Sequence, residues 1–242
     1  SVQDQVSRTL ISWLSEVQSP NRILEIGCGT GMLTRRLVQR FPGVPIDALD
    51  ASDTMIQVAR EAVGDQVTWL VGDATTFASD VAYDLIVSSS SLHWMLPLKQ
   101  TLVTLTSQLK PEGVLTASLM LDGTLGELRT TRIRVAPNKS PMARLPTASE
   151  VLAATESAGL HCAMSSRQSI RTIYPSANDL LRSIHLQGVT GGKVSRAETP
   201  LTRGELKQVV ADYDAQYAAD DGVIATYEVF FMSCNRLGRR RN

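Results

Sequence analysis

Nothing in the sequence reaches the roughly 20 consecutive apolar residues that a membrane-spanning helix needs. No charged segment followed by an apolar stretch opens the chain as a secretory leader would. Cysteine is scarce: Cys28, Cys162 and Cys234 are odd in number, far apart and in no metal-ligand spacing. They offer neither a disulfide framework nor a zinc ligand set, and they suit a reducing compartment. Charge of one sign is lacking too, since 24 Lys and Arg balance 24 Asp and Glu. Strong general attraction to nucleic acid or anionic lipid is therefore not expected, and the short Arg239-Arg240-Arg241 run reads as a solvated tail. Together these absences point to the cytoplasm.

What is present is an ordinary globular composition, 43% hydrophobic and 20% charged over 242 residues, enough for one well-buried domain with an elaboration. The first half alternates between two periods. Val6, Leu10, Ile11 and Leu14 fall at helical spacing, and Ile23-Leu24-Glu25-Ile26 is a short apolar run between Pro20 and Gly27. Helices are expected over 30–40, 54–63 and about 98–109, and strands over 45–50, 67–71, 83–88 and 114–119. In the second helix Met55, Val58, Ala59 and Ala62 are expected to face inward, with Asp53 as a possible N-cap. Strands alternating with helices at this rhythm indicate a doubly wound α/β domain with a mostly parallel sheet.

The second half is less regular. Residues 121–146 show no clear periodicity. Thr147-Ala148-Ser149-Glu150 and Thr202-Arg203-Gly204-Glu205 are capping-box patterns that open helices to about 158 and 217. Strands are expected over 164–173 and 227–233, and residues 176–190 look helical, ended by Gly191-Gly192. The reading is a single domain over 1–242, seven-stranded, with a helical cap at about 175–222 before the last strand.

The strongest chemical signal is Leu24-Glu25-Ile26-Gly27-Cys28-Gly29-Thr30-Gly31, placed after the first strand and opening the first helix of the alternation. Gly27, Gly29 and Gly31 let the backbone turn sharply and approach a ligand, and the helix N-terminus supplies oriented N–H groups. Dinucleotide folds use Gly-x-Gly-x-x-Gly against a pyrophosphate. Here the spacing is Gly-x-Gly-x-Gly, and Glu25 would repel a pyrophosphate but welcome a cationic sulfonium and amino group. A tight turn without ligand and another nucleotide cofactor are the competing readings. Asp50 ends the second strand, where a carboxylate can accept both ribose hydroxyls, or can cap the next helix. Ser88-Ser89-Ser90-Ser91-Leu92-His93-Trp94 follows the fourth strand, at the ligand edge of an open α/β sheet. Trp94 offers a flat pocket wall; His93 is a general base, a polar wall or a structural residue.

The glycine segment resembles motif I of class I methyltransferases, whose cofactor is S-adenosylmethionine. Leu49-Asp50-Ala51-Ser52-Asp53-Thr54-Met55 is similar to the second motif, which implies Met55 near the adenine, and Gly72-Asp73-Ala74 resembles the segment that takes the adenine amino group. Over nearly its whole length the chain further resembles the malonyl-[acyl-carrier protein] O-methyltransferases of biotin synthesis. The second half carries this through Gly123-Thr124-Leu125-Gly126-Glu127-Leu128, Ala143-Arg144-Leu145-Pro146, Leu180-Leu181-Arg182-Ser183-Ile184 with Gly188-Val189-Thr190, Leu201–Leu206 and Thr226-Tyr227-Glu228-Val229-Phe230. Two departures stand out. Ser89 lies where the family has Asn, and the family's leading aromatic-containing helix, which folds over the cofactor, has no counterpart here.

The resemblance implies that a malonyl carboxylate becomes a methyl ester. A carboxylate is ionised at neutral pH, so no general base is required. An Arg fork matches such a carboxylate; Arg129, Arg132, Arg134, Arg144 and Arg182 are candidates, with Arg144 favoured and Tyr227 a further pocket group. The implied partner, acyl carrier protein, is acidic, and Arg167, Arg171, Arg182, Lys193, Arg196, Arg203 and Lys207 could face it. A methyltransferase for another small acid such as trans-aconitate, or for another small molecule, fits the first half almost equally well, and a non-catalytic protein that keeps the fold and binds a partner is the reading from a different class.

Overall fold

The structure is a computed structural model that describes residues 1–17, 19–139, 144–186 and 199–237. Ala143, Gly188-Val189-Thr190, Gly191-Gly192, Lys193, Arg196 and Arg239–Arg241, which entered the sequence reading, lie outside the described residues.

The expected α/β architecture is found. The chain runs through α1 (Val2–Trp13), β1 (Ile23–Ile26), α2 (Met32–Arg40), β2 (Ile46–Asp50), α3 (Asp53–Val63), β3 (Thr68–Val71), β4 (Tyr83–Ser89), α4 (Leu98–Gln108) and β5 (Leu109–Met120). It continues through α5 (Gly126–Val135), α6 (Ala148–Ser157), β6 (Leu160–Tyr174), α7 (Ala177–Leu186), α8 (Arg203–Gln216), β7 (Ala218–Ala219) and β8 (Gly222–Arg236). The strand order is β3-β2-β1-β4-β5-β8-β6, with β1 to β5 paired in parallel. The two-residue β7, antiparallel to β8, makes an eighth strand. This is a doubly wound, Rossmann-like arrangement. Among the described residues no helix is long and apolar enough to cross a membrane.

β1 is buried along its whole length, as a central parallel strand covered on both faces must be. Two carboxyls are buried here, Glu25 on β1 and Asp47 on the neighbouring β2; Asp47 is satisfied, taking Arg22 Nε at 3.0 Å and the Tyr83 hydroxyl at 2.8 Å. The sheet order reverses between β1 and β4, which opens a crevice at the carboxyl ends of the strands.

The chain divides into two compact units. One comprises residues 1–119, 147–168 and 230 onward; the other comprises 120–146 and 169–229. In the second, α5 and α7 pack on α8. Arg134 pairs with Asp212 and Lys139 with Glu205, and the Tyr213 hydroxyl donates to the Ile224 carbonyl at 2.7 Å.

Several expectations need correction. α3 faces inward with Ile56 and Ala59, while Val58 and Ala62 are exposed. Its N-cap is Ser52, which accepts the Met55 N–H at 3.4 Å; Asp53 instead holds the Gln57 amide at 2.7 Å. β5 starts at Leu109, which pairs with Tyr83; residues 110–113 bulge out of the ladder, with Glu112 at a φ of 64°, and pairing resumes at Leu85 and Val114. β6 and β8 each run 15 residues, beyond the apolar cores that marked them. α5 was invisible because Thr131 is its one buried residue, so it carries no apolar stripe.

Candidate functional site

The glycine segment folds as a strand–loop–helix. Gly27, Gly29 and Gly31 all adopt positive φ, at 68°, 53° and 78°. The Leu49 carbonyl accepts both the Gly27 N–H (2.8 Å) and the Cys28 N–H (3.1 Å), which ties the loop to β2. Gly27 is the tightest point: a Cβ there would lie 2.4 Å from the Ser91 side chain. At Gly31 it would press on Ala59 and Val63 of α3, whereas at Gly29 it would meet nothing within 4 Å. The first and third glycines thus serve packing, and the second leaves open space above the loop.

Asp50 joins the loop to the end of β2. Its Oδ2 accepts the Gly29 N–H at 2.9 Å and its Oδ1 the Ser52 N–H at 2.9 Å. These two bonds fix the carboxylate plane and leave further lone pairs on both oxygens, so Asp50 acts as neither a helix cap nor a spectator. Ala51 next to it is exposed, and Met55 is half-buried on α3. After β3, Asp73 is exposed, and the Thr75 N–H donates to its Oδ1 at 2.8 Å, holding its carboxyl below the ordinary value. Ala74 beside it is buried.

Glu25 is the electrostatic centre. It is fully buried, and burial pushes its carboxyl up to about 7, with the Asp50 charge adding to the effect. Thr34 approaches and pulls the other way, yet falls short of hydrogen-bond geometry: Glu25 Oε2 and Thr34 Oγ1 are both buried without a hydrogen-bond partner. Such orphaned acceptors are uncommon in folded proteins and mark a missing partner. A cationic donor in the open space above the loop would supply it. Cys28 is buried, and its thiol is raised out of the reactive range by burial and by Glu25 and Asp50.

The serine stretch does more than line an edge. Ser88 and Ser91 both donate to the Ile26 carbonyl at 3.0 Å, and their hydroxyls lie 2.6 Å apart. They brace the first glycine turn, a role the sequence reading missed. The signal was there, since small hydroxyl residues at a strand end suit such a bridge. Ser89 closes β4, 3.5 Å from the Ser118 hydroxyl. The His93 and Trp94 rings are in contact, tilted by 48° with centroids 4.7 Å apart. Burial drops His93 to about 3, so the ring is neutral at physiological pH and a weak proton acceptor. A cavity of about 570 Å³ lies elsewhere, at the starting ends of β4 and β5, among Trp13, Asp84, Lys110 and Asn235; none of the cofactor-motif residues lines it.

The substrate-side residues fall in the second unit. Arg129 pairs with Asp122 and Arg134 with Asp212. Arg144 is exposed and donates to the Leu145 carbonyl at 3.1 Å; Arg182 is exposed on α7. Arg132 differs from these. Its Nη2 donates to the Lys139 carbonyl at 2.8 Å, its Nε is buried without a partner, and burial lowers its pKa. Buried Tyr227 shares a 2.9 Å hydrogen bond with the Tyr174 hydroxyl.

Comparison with known proteins places this arrangement. A methyltransferase-domain family model matches residues 23–113, the span that holds every cofactor-motif residue above. Malonyl-[acyl-carrier protein] O-methyltransferase of Anoxybacillus flavithermus is 30% identical over 96% of this chain and 89% of its own. Among solved structures, BH2331 of Bacillus halodurans C-125 superposes with a TM-score of 0.69 at 13% identity, covering 97% of this chain and 100% of that one. The N-methyltransferase NodS of Bradyrhizobium japonicum, solved with S-adenosylhomocysteine, gives 0.57 at 13% identity, covering 96% and 86%. The chain belongs to the class I S-adenosylmethionine-dependent methyltransferases.

Proposed function

We propose that this methyltransferase is a carboxyl O-methyltransferase that esterifies the free carboxylate of a malonyl group carried by acyl carrier protein, a step of biotin synthesis. The observation that carries the reading is the full-length likeness to the Anoxybacillus enzyme of that name, which includes the irregular second half as well as the shared cofactor motifs.

S-adenosylmethionine supplies a methyl group activated on a sulfonium. Glu25 would accept the amino group of its methionine part, Asp50 its ribose hydroxyls, and Asp73 its adenine amino group, with Ala51, Met55 and Ala74 around the ring and Ser89 at the strand edge. Nothing beyond positioning is asked of the protein, because a carboxylate substrate is already ionised. The neutral, weakly basic His93 is compatible with that demand and, with Trp94, serves as pocket wall. Holding a nucleophile in line is worth roughly 7–11 kcal/mol of barrier.

Arg144 remains the first choice for the substrate carboxylate, and Arg132 is the second, because its desolvated guanidinium pairs with no carboxylate among the described residues. Tyr227 is a lesser candidate. Exposed Arg171, Arg182, Arg203 and Lys207 would suit an acidic carrier protein. The testing experiment is transfer of labelled methyl to malonyl-carrier protein, beside succinyl- and acetyl-carrier protein and free trans-aconitate. Base-labile label on the malonyl carrier alone is expected, and Arg144→Ala should then raise KM more than it lowers kcat. Label on trans-aconitate, or on none of them despite cofactor binding, overturns the substrate assignment.

A further inference from the structure

Two of the three cysteines, 72 positions apart in sequence, meet across neighbouring strands. Cys162 lies near the start of β6 and Cys234 near the end of β8, and these strands are adjacent in the sheet. Just beyond their ends, the Leu237 N–H donates to the Gly159 carbonyl at 3.0 Å. At the other end of the same pair Gly222 lies against the Tyr174 carbonyl, so the strands run antiparallel. Three residues inward from the Gly159–Leu237 pair on each strand, Cys162 stands opposite Cys234. In an antiparallel ladder an odd step from a hydrogen-bonded pair reaches a non-hydrogen-bonded pair, whose Cα atoms are about 4.5 Å apart. That falls within the roughly 4.4–6.8 Å that a disulfide spans.

The thiols differ in surroundings. Cys162 is half-buried and Cys234 fully buried. The Cys162 thiol donates to the Met164 carbonyl at 3.3 Å, and the neighbouring Cys234 thiol brings Cys162 down to about 7 while Cys234 itself is raised. Cys28 is buried and raised. Among the described residues no group of three or more His, Cys, Asp or Glu could hold a metal.

We infer that Cys162 and Cys234 form a thiol-oxidation site, in which half-buried Cys162 meets a peroxide and buried Cys234 resolves it as a cross-strand disulfide. The Cys162 thiolate attacks one peroxide oxygen; the O–O bond breaks, and the departing hydroxide takes a proton from solvent to leave as water. Cys162 is then a sulfenic acid. The Cys234 sulfur gives up its proton and attacks the Cys162 sulfur; the S–S bond forms, the S–O bond breaks, and the oxygen leaves with that proton as a second water. Two thiols and one hydrogen peroxide become one disulfide and two waters. The bridge fastens β6, the last strand in the sheet order, to its neighbour.

The test is hydrogen peroxide on the whole protein, followed by alkylation of free thiols, peptide mass mapping and non-reducing electrophoresis. The expected result is a monomer with a Cys162–Cys234 bridge and Cys28 alone alkylated, reversible by dithiothreitol, forming several-fold faster at pH 8 than at pH 6. In Cys234→Ser the Cys162 sulfenic acid should be trapped by dimedone, and in Cys162→Ser the bridge should be lost while Cys234 stays reduced. Oxidation of Cys162 directly to sulfinic acid with Cys234 still alkylatable, or a bridge between two chains, overturns the inference.

Discussion

The glycine-loop edge and the second unit are both rich in polar residues, but they use them in opposite ways. In the second unit several charges are paired among the described residues: Arg129 with Asp122, Arg134 with Asp212, Lys139 with Glu205, and Glu127 with the backbone and hydroxyl of Thr226. At the glycine edge Glu25 Oε2, Thr34 Oγ1 and Ser90 Oγ are buried without partners, and Ser90 itself has a φ of 54°. Satisfied networks hold a structure together; orphaned atoms and strained backbone in one place are the mark of a ligand site. In the second unit Arg132 is the exception that follows the first pattern.

The contrast breaks most sharply at Gly27. An alanine there combines positive φ, worth about 1–2 kcal/mol, with a Cβ driven into Ser91, worth about 1–3 kcal/mol more. Gly27→Ala should lose measurable binding of S-adenosylhomocysteine by calorimetry and several degrees of melting temperature. Gly29→Ala meets nothing within 4 Å and should cost about 1–2 kcal/mol of strain alone. Equal melting temperatures for the two variants would refute the packing role of the first glycine.

Glu25 gives the next effect, through pH. The unfolded chain releases this proton near 4.5 and the folded, ligand-free chain near 7. Between those values the folded state binds the extra proton, so this group's contribution makes stability fall as pH rises from 4.5 to 7 and stay level above. The span corresponds to about 3 kcal/mol. Denaturant titrations of the wild type and Glu25→Gln at pH 5 and 8 should differ by that slope, with the variant the more stable of the two at pH 8. A bound ammonium reverses the shift, so S-adenosylhomocysteine should release a proton on binding at pH 6 to 7, visible as buffer-dependent heats. Binding heats independent of buffer would mean that Glu25 does not face the cofactor's amino group.

Arg132 sharpens the comparison within the second unit. A half-buried guanidinium nitrogen left unpaired costs about 1–3 kcal/mol, so Arg132→Met should raise stability by about 1–2 kcal/mol while impairing substrate KM. Arg134→Met, which strips a partner from Asp212, should not stabilise. A destabilised Arg132→Met would make Arg132 one more structural cation.

How much could be read beforehand follows the same division. Buried parallel strands are continuous apolar runs and the glycine loop has fixed spacing, so β1 to β4, Glu25 and Asp50 were legible. Contacts set by strand pairing were not: the Ser88 and Ser91 brace needs the β1–β4 register, which sets Ile26 beside Ser88, and the Cys162–Cys234 pair needs β6 beside β8. Helix α5 was hidden for lack of an apolar face. The exposed Val58 on α3 shows tertiary packing choosing a different stripe from the one the apolar residues suggested.

The smallest effects belong to the most legible features, the two capping boxes. Thr147 accepts the Glu150 N–H at 3.3 Å and Glu150 accepts the Thr147 N–H at 2.8 Å; Thr202 and Glu205 repeat this at 3.2 and 2.7 Å. Thr→Ala at either cap should cost about 1 kcal/mol. The second box carries a further charge pair. Glu205 also takes Lys139 at 2.9 Å, and that bond, first among its causes, holds its carboxyl below the ordinary 4.5. Its contribution is therefore complete above pH 4.5 and fades as pH falls toward the folded value. Glu205→Gln should flatten the acid limb of the stability curve below pH 4.5, and Lys139→Met should flatten it in the same way. An acid limb left unchanged by both variants would reduce the Lys139–Glu205 pair to a surface contact without energetic weight.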